Sequence, residues 1–571
     1  MYVKRSTRRT GDGRVVGYLQ LAHNEWDPAS KSSKTKVLYS FGREDCLDVA
    51  GIRRLVAALC RLLGPGEALA ATAPADLRFT DSRPLGGAFV LDGLWRKLGI
   101  DTAMRSMLTG TRMDSRVERI LFALVANRAL APSSKLAATR WIEHDVHIDG
   151  LDAVVDEACY RAMDWLIEAE PELSRIVYDN TANLLNLEVD LLFFDTTSTY
   201  FETEDADSPV GRDEHGQVVH GDVDGDDAVR ETGFRTFGKS KDSRPDLPQI
   251  VVGMAVTRDG IPVRCWAWPG NTADSALIRQ VKDDMRDWSL SRVVWVADRG
   301  FTSAANRRYL QKAGGHYILG EKLRGESPEA RAALSRQGRY RAVADNLQVK
   351  EVRLDADLAD DRFVICFNPD AAIRDAAIRA KMVALLEETI TGSDKLSKDK
   401  RAELRGVIST KPGLKRYLRI TPGGLLRIDK KAIDTEANLD GKFLLRCSDP
   451  KLSAEDIALG YKQLLEVERG WRDMKQIIDL RPVYHRVEER IRAHVLLCWL
   501  ALLLIRIAET GTGQTWTMLR EELQRLHLGT FTGPAGAFRQ RTELTPAAKK
   551  ILDTLGLPEP RRVYEATPAT P

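Results

Sequence analysis

Residues 191–200 read LLFFDTTSTY and residues 293–300 read VVWVADRG. In each, an apolar run ends in an aspartate, Asp195 or Asp298. Such a run, bounded by small polar residues, predicts a strand buried on both faces. A carboxylate at its tip is costly to desolvate unless something positive meets it. Each aspartate alone also reads as a turn or helix cap. Two strands of one sheet that both deliver an aspartate at the carboxyl end would bring the pair to the edge where α/β sheets place ligands. Two adjacent carboxylates repel, and a shared divalent cation would make their joint placement sensible.

The pattern around these strands alternates. QIVVGMAVTRDGIPVRCWAW (249–268) predicts two strands about the turn TRDG, SALIRQVKDDMRDW (275–288) a helix, SAANRRYLQKAG (303–314) a second helix, and HYILGE (316–321) a further strand. An antiparallel group followed by helix, strand, helix and strand predicts an α/β fold, a ribonuclease-H-like mixed sheet. Strand-like pieces in 323–445 predict a mostly β insertion that interrupts this core. Helices are predicted on either side, including long ones over about 453–478 and 485–509 that are separated near Pro482. The expected organisation is a small α+β region over 1–75, a helical region over 76–187, the core over 188–322, the insertion over 323–445, the rest of the core over 446–510, and a helical C-terminal region over 511–571.

Composition narrows the functional class. The 571 residues exceed what one hydrophobic core usually serves. The seven cysteines are scattered, without a Cys-x-x-Cys pair, which speaks against a zinc module or disulfide framework and fits a reducing cytoplasm. His144 with His147 and His215 with His220 are the only close histidine pairs, both in loop-like contexts. The longest apolar stretch, Val495 to Ile505, is too short for a membrane span, which needs about 20 residues, and reads as a buried helix. Net charge is only +3, yet residues 401–431 hold nine Lys or Arg against Glu403 and Asp429. A segregated basic stretch is what a polyanion-binding surface looks like, and equally what a solvated face looks like. The acidic run over 202–231 lacks the calcium-loop pattern and reads as a mobile loop.

A third carboxylate stands in YKQLLEVERGWRDMK, residues 461–475. Tyr461, Glu468 and Lys475 are spaced by sevens, and two helical turns return to nearly the same azimuth, so they share one stripe with Arg472. Glu468 with Arg472 also reads as an ordinary i, i+4 pair. The helix carries enough apolar residues, Trp471 and Met474 among them, to predict that it is largely buried and that Glu468 needs a partner.

Asp195 in FFDTTSTYFE, Asp298 in VWVADRGF and Glu468 in this helix resemble the catalytic carboxylates of the DDE transposases of bacterial insertion sequences, in the subgroup with a Tyr-x2-Arg-x3-Glu-x6-Lys signature. Tyr461, Glu468 and Lys475 are in register, while Leu464 takes the arginine slot and Arg472 is the candidate substitute. KSKDSRPDLPQIVVGMAVTRDGIPV and LRPVYHRVEERIRAHVLLCWLAL are also similar to stretches of this subgroup, and the resemblance spans about 190–510.

The resemblance implies a DNA transposase in which Asp195, Asp298 and Glu468 hold two Mg²⁺ ions, with Mn²⁺ as a substitute. It implies cleavage at the element's inverted-repeat ends and joining of the 3′ ends to target DNA. Double-stranded DNA would be the partner of a homodimer, in the bacterial cytoplasm at the nucleoid and not at a membrane. Region 76–187 would bind the ends, and Tyr461, Arg472, Lys475, Arg299, Lys415, Arg416 and Arg419 would meet DNA. Trp266, Trp268, Trp295 and Trp471 are candidates to stack on a flipped base, although core packing is the leading reading for each. Two other readings stay open. FFDTT is similar to the nucleophile strand of haloacid-dehalogenase-type phosphatases, although Thr197 stands where that family has a second aspartate. A domesticated relative that binds DNA without cutting it is the non-enzymatic reading.

Overall fold

In the computed structural model, the structure describes residues 1–11, 14–62, 77–185, 191–213, 216–219, 230–286, 288, 293–324, 327–355, 357, 359–533 and 536–568. The chain divides into two compact units. The smaller comprises Met1–Ser82, Gly529–Arg541 and Arg562–Pro571. It holds an antiparallel sheet of β1 (Tyr2–Arg9), β2 (Val15–Asp27) and β3 (Ser32–Arg43), and a helix over Val49–Cys60; alternation over 14–41 accounts for the β2–β3 hairpin but not for β1. A second sheet is built from β4 (Arg78–Pro84) and three strands near the other end of the chain: β18 (His527–Gly533), β19 (Gly536–Arg541) and β20 (Val563–Pro568), in the order β20-β19-β18-β4. The C-terminal stretch is therefore not simply helical, as expected. Its strands are short, and their partner β4 lies some 450 residues away, beyond the reach of local pattern.

The larger unit, Arg83–Leu528 with Thr542–Arg561, contains a nine-stranded sheet. Its strands are β5 (Leu191–Tyr200), β8 (Gln249–Val256), β9 (Pro262–Pro269), β10 (Val294–Ala297), β11 (His316–Glu321), β12 (Arg341–Ala344), β13 (Leu347–Arg353), β14 (Arg362–Phe367) and β17 (Lys442–Cys447). The order is β12-β13-β14-β17-β11-β10-β5-β8-β9. β5, β10 and β11 run parallel, and β8 and β9 follow β5 as antiparallel neighbours. This mixed sheet is consistent with a ribonuclease-H-like core. Two short pairs, β6 (Val210–Arg212) with β7 (Arg230–Thr232) and β15 (Leu418–Ile420) with β16 (Leu426–Ile428), stand apart from it.

Both faces of the sheet are covered, which explains why its central strands are continuous apolar runs rather than alternating ones. Leu191, Phe193, Val294, Val296 and Ile318 pack into one core with the helices Val117–Leu130, Ala454–Lys462, Leu465–Gln476 and Glu488–Thr512. Their neighbours Leu192, Phe194, Trp295, Ala297 and Leu319 pack into a second core beneath the helices Asp274–Asp284 and Ala304–Gln311. Strand periodicity of two thus assigns every odd residue of β5 and every even residue of β10 to the first face.

The segment expected to be a mostly β insertion is organised differently. β12, β13, β14 and β17 do not make a sheet of their own but extend the central sheet beyond β11. That pairing satisfies backbone groups which an open β11 edge would expose. Helices Pro369–Ile390, Lys398–Ser409 and Lys430–Ala437 occupy more of the segment than strands do, around a small core of Leu386, Ile408, Leu414, Tyr417 and Leu426. The expected helical region likewise shares the main core. Val117 through Ala129 are all buried, against Glu488–Thr512, a helix long and apolar enough to cross a membrane whose residues here lie inside the protein. Of the acidic run, residues 214–215 and 220–229 lie outside the described residues.

Candidate active site

Register alone brings the two strand-end aspartates together. β10 pairs with β5 so that Ala297 lies opposite Phe194, and the next residues on each strand are Asp298 and Asp195. Both continue the parity of the first face, beside the helices Ala454–Lys462 and Leu465–Gln476. Asp195 is mostly buried. Burial raises its carboxyl to about 6; Lys241 and the Thr196 N–H oppose the rise, while Asp274 and Asp298 add to it. The oxygens of this pair have few partners. Among the described residues Asp298 accepts one side-chain hydrogen bond, from the Tyr461 hydroxyl at 3.2 Å, and no lysine or arginine is bonded to either carboxylate.

Tyr461 is inserted deeply. Its ring stacks on Phe443 with centroids 6.1 Å apart, and burial followed by Asp298 pushes its hydroxyl pKa up, so it remains a neutral donor. The hydroxyl sits over Gly320 of β11, where a Cβ would lie 2.3 Å from it. We expect Gly320→Ala to displace Tyr461 and to cost about 1–3 kcal/mol, the usual range for overpacking. Urea denaturation checks this, and Tyr461→Phe in the same background should recover part of the loss by removing the clashing oxygen.

At the other end of the stripe, Lys475 Nζ donates to Thr197 Oγ1 at 2.8 Å and to Asp242 Oδ1 at 2.9 Å. Thr197 is two residues beyond Asp195 and so on the same face. Thr196 points to the opposite face, where its hydroxyl donates to Asp274 Oδ1 at 2.8 Å and Lys241 Nζ donates to its carbonyl at 2.6 Å. Lys241 also pairs with Asp274 at 3.2 Å. The small hydroxylated residues after Asp195 are thus attachment points for a polar shell. The segment 240–246 that supplies Lys241 and Asp242 lies in a stretch similar to the transposase subgroup, but none of its residues is assigned a role from sequence. Its residues are polar and lie in a loop, so periodicity could not single them out.

Glu468 departs from expectation. The stripe is interrupted by a turn at 463–464, and Glu468 lies in the first turn of Leu465–Gln476. It is exposed, and its side chain makes no hydrogen bond or ion pair among the described residues. The apolar residues that suggest a buried helix, Val467, Trp471 and Met474, are buried in the first core, while Glu468 is left exposed. Among the described residues no three His, Cys, Asp or Glu side chains lie close enough to hold a metal ion. Asp195 and Asp298 by themselves fit a hard divalent cation: they are oxygen donors, adjacent, and lack a bonded protein cation.

Of the residues expected at DNA, Tyr461 and Lys475 turn their polar atoms inward. Arg416 pairs with Glu436 at 3.0 Å. Arg299, Arg472, Lys415 and Arg419 are exposed and carry no ion pair among the described residues. Arg419 lines a cavity of about 780 Å³ with Lys395, Lys430 and Lys431. Trp266, Trp268, Trp295 and Trp471 are all buried, as core packing predicts. His144 is exposed beside Glu143, His147 is buried, and His215 and His220 lie outside the described residues.

No curated protein matches the chain. A cryo-EM structure of the piggyBac transposase synaptic complex with hairpin DNA aligns over 77% of this chain and 78% of its own, with 11% identity and a TM-score of 0.32. Residues 232–504 match the family model described as Transposase DDE domain, a range that begins after Asp195 and takes in Asp298 and Glu468, and this match supports a DDE transposase.

Proposed function

We propose that the protein is a transposase of a bacterial insertion sequence that cuts DNA at the element's ends and joins the 3′ ends to target DNA. The observation that carries this reading is the pairing of Asp195 with Asp298 at the carboxyl ends of parallel β5 and β10, inside a chain that carries the transposase family match. Asp195 and Asp298 would hold Mg²⁺ or Mn²⁺, with Glu468 as the third carboxylate on the same side of the sheet. Two such ions, when bound, activate an attacking oxygen and stabilise the leaving oxygen of a phosphodiester.

The chain's own residues supply the positioning. Tyr461 fixes the rotamer of Asp298 through one hydrogen bond, and Thr196 offers its N–H to Asp195. Arg299 follows Asp298 directly and Arg472 stands one turn beyond Glu468, both free to meet backbone phosphates, which position DNA without reading its sequence. Lys415, at the end of the short helix Pro412–Lys415, and Arg419 of β15 would extend this contact on the inserted segment. Because two ends must be cut in concert, the acting form would be a homodimer on double-stranded DNA, at the bacterial nucleoid.

The test is metal-dependent cleavage of a duplex carrying the element's ends, with 3′-hydroxyl products joined to a second duplex. Absence of both products in Mg²⁺ and in Mn²⁺, with the ends still bound, would leave the non-cleaving relative as the better reading. Transfer of phosphate onto Asp195 from a small phosphoester would favour the phosphatase reading. The pH dependence is specific. Protons compete with the cation for Asp195, so apparent Mn²⁺ affinity should fall about tenfold per pH unit below about 6 and level off above it. Titration of Mn²⁺ by its effect on thermal unfolding at several pH values checks this.

A further inference from the structure

The loop 240–246 is fastened through Lys241 to the strand that carries Asp195 and is braced internally by Ser240. The Lys241 N–H donates to Ser198 Oγ at 2.8 Å, and Ser240 Oγ accepts from the N–H groups of Asp242 and Arg244 at 3.2 and 3.0 Å. Ser243 takes a left-handed φ of +57°, a conformation that side chains adopt only when their surroundings impose it. The result presents the Asp242 carboxylate, 12% exposed, between two cations from the other side of the site.

Those cations are Lys475 and Arg481. Lys475 Nζ is 2.9 Å from Asp242 Oδ1, and Arg481 Nη1 is 2.9 Å from Asp242 Oδ2, at an angle that makes the second contact an ion pair rather than a hydrogen bond. The Arg481 guanidinium also lies over the Tyr200 ring, 4.7 Å from its centroid, at the far end of β5. The loop fastened to β5 through Lys241 and Ser198 is therefore tied by the Asp242 carboxylate to the end of the Leu465–Gln476 helix and to the residues after it. Lys475 and Glu468 are two turns apart, about 10 Å along the axis, on one stripe. Fixing the azimuth of Lys475 fixes that of Glu468. Truncating Asp242 would leave a mostly buried ammonium bonded only to Thr197.

We propose that Asp242 is a positioning residue for strand cleavage: it holds Lys475 and Arg481, and through them the orientation of the Glu468 helix against the Asp195 strand. The proposal rests on the transposase reading of the site. It assigns Lys475 to the protein's internal framework, where phosphate contact would need it free.

The experiment compares Asp242→Asn, Asp242→Glu and Lys475→Met with the wild-type full chain, measuring single-turnover cleavage at saturating end DNA and, separately, affinity for uncut end DNA. A carboxylate misplaced by about 1 Å costs on the order of 10²-fold in rate, so Asp242→Asn should slow cleavage on that scale. DNA affinity should stay within about twofold, Asp242→Glu should recover part of the rate, and Asp242→Asn with Lys475→Met should be no slower than the slower single variant. An unchanged rate in Asp242→Asn, a loss that appears in DNA affinity instead, or multiplicative rate losses in the double variant would overturn the proposal. Should Asp242→Asn not fold, Thr197→Val removes the hydroxyl that Lys475 also holds; it should slow cleavage in the same direction without weakening DNA, and a wild-type rate there overturns the clamp. If the wild-type chain cuts no DNA, the transposase reading fails by itself, and the clamp is decided by a thermal-unfolding cycle on Asp242 and Lys475: coupling supports it and additivity overturns it.

Discussion

Asp195→Ala is expected to abolish metal-dependent DNA cleavage while leaving a folded protein. Divalent ions acting on attacking and leaving oxygens lower the barrier by several kcal/mol, and each 1.36 kcal/mol is tenfold in rate, so the loss should be on the order of 10³-fold or more. Asp298→Ala should lose as much, and, since on the proposed reading both carboxylates would hold the same ions, the double variant should lose little beyond either. Stability should respond in the opposite sense. In the metal-free protein Asp195 is a desolvated carboxyl, raised to about 6 and pressed by Asp298 and Asp274. A raised folded-state pKa contributes stability below the ordinary value of 3.8 that is lost as pH rises through about 6. At pH 7.5, removing the carboxyl should therefore leave the metal-free melting temperature unchanged or higher. On the proposed reading Mg²⁺ should raise the melting temperature of the wild type by binding the native state, and should not raise that of Asp195→Ala. Cleavage by Asp195→Ala at the wild-type rate, measured on an end-containing duplex, would remove Asp195 from the site.

This prediction carries particular weight because the family match starts at residue 232 and says nothing of Asp195. Its place depends on strand register, and that much was legible in sequence: two apolar runs of similar length, each ending in aspartate, become neighbours whose tips coincide. The shared face was legible too, since period two sends Asp195 and Thr197 to one side and Thr196 to the other. What holds the tips was not. Lys241, Asp242 and Asp274 reach the site from a loop and a helix start, and polar residues in loops leave no periodic trace. Glu468 was legible as a position and misjudged as an environment, because counting apolar residues around a helix does not say whether they all face one way.

The same limit applies to the fold. EVRLDADLADDRFVICFN and KFLLRC were recognisable as strands. Nothing local indicates that β14 and β17, some 80 residues apart, pair with each other and then close on β11. Strand type is a local property and strand partnership is not, so a sheet extension was mistaken for a β domain. Conversely, the Glu488–Thr512 helix was recognisable as buried because it is apolar around its whole circumference, which only a core or a membrane accommodates.

The buried guanidinium of that helix also holds the Glu468 helix, and Arg506→Met is expected to be the most destabilising of these substitutions. Arg506 is 2% exposed; its Nη2 bonds Asp473 Oδ2 at 2.6 Å and its Nη1 bonds Glu509 Oε2 at 2.6 Å. Glu509 also receives Arg469 at 3.1 Å, but Asp473 has only a distant second contact with Arg469, at 4.0 Å. Removing Arg506 leaves a buried carboxylate without its cation, and breaking a buried pair from one side costs about 3–5 kcal/mol. The pH dependence identifies the cause. Burial already raises the Asp473 carboxyl, and Arg506 is the largest influence opposing that rise. Without Arg506 the pKa climbs further, and the folded state takes up a proton that the unfolded chain does not hold. The destabilisation should therefore be greatest at neutral pH and shrink as pH is lowered through the raised pKa. Urea denaturation of Arg506→Met at neutral and acidic pH checks this, with Asp473→Asn in the same background expected to recover much of the loss at neutral pH. A penalty that does not change with pH would mean that lost packing of the arginine stem, rather than the stranded carboxylate, is what the helix pair depends on.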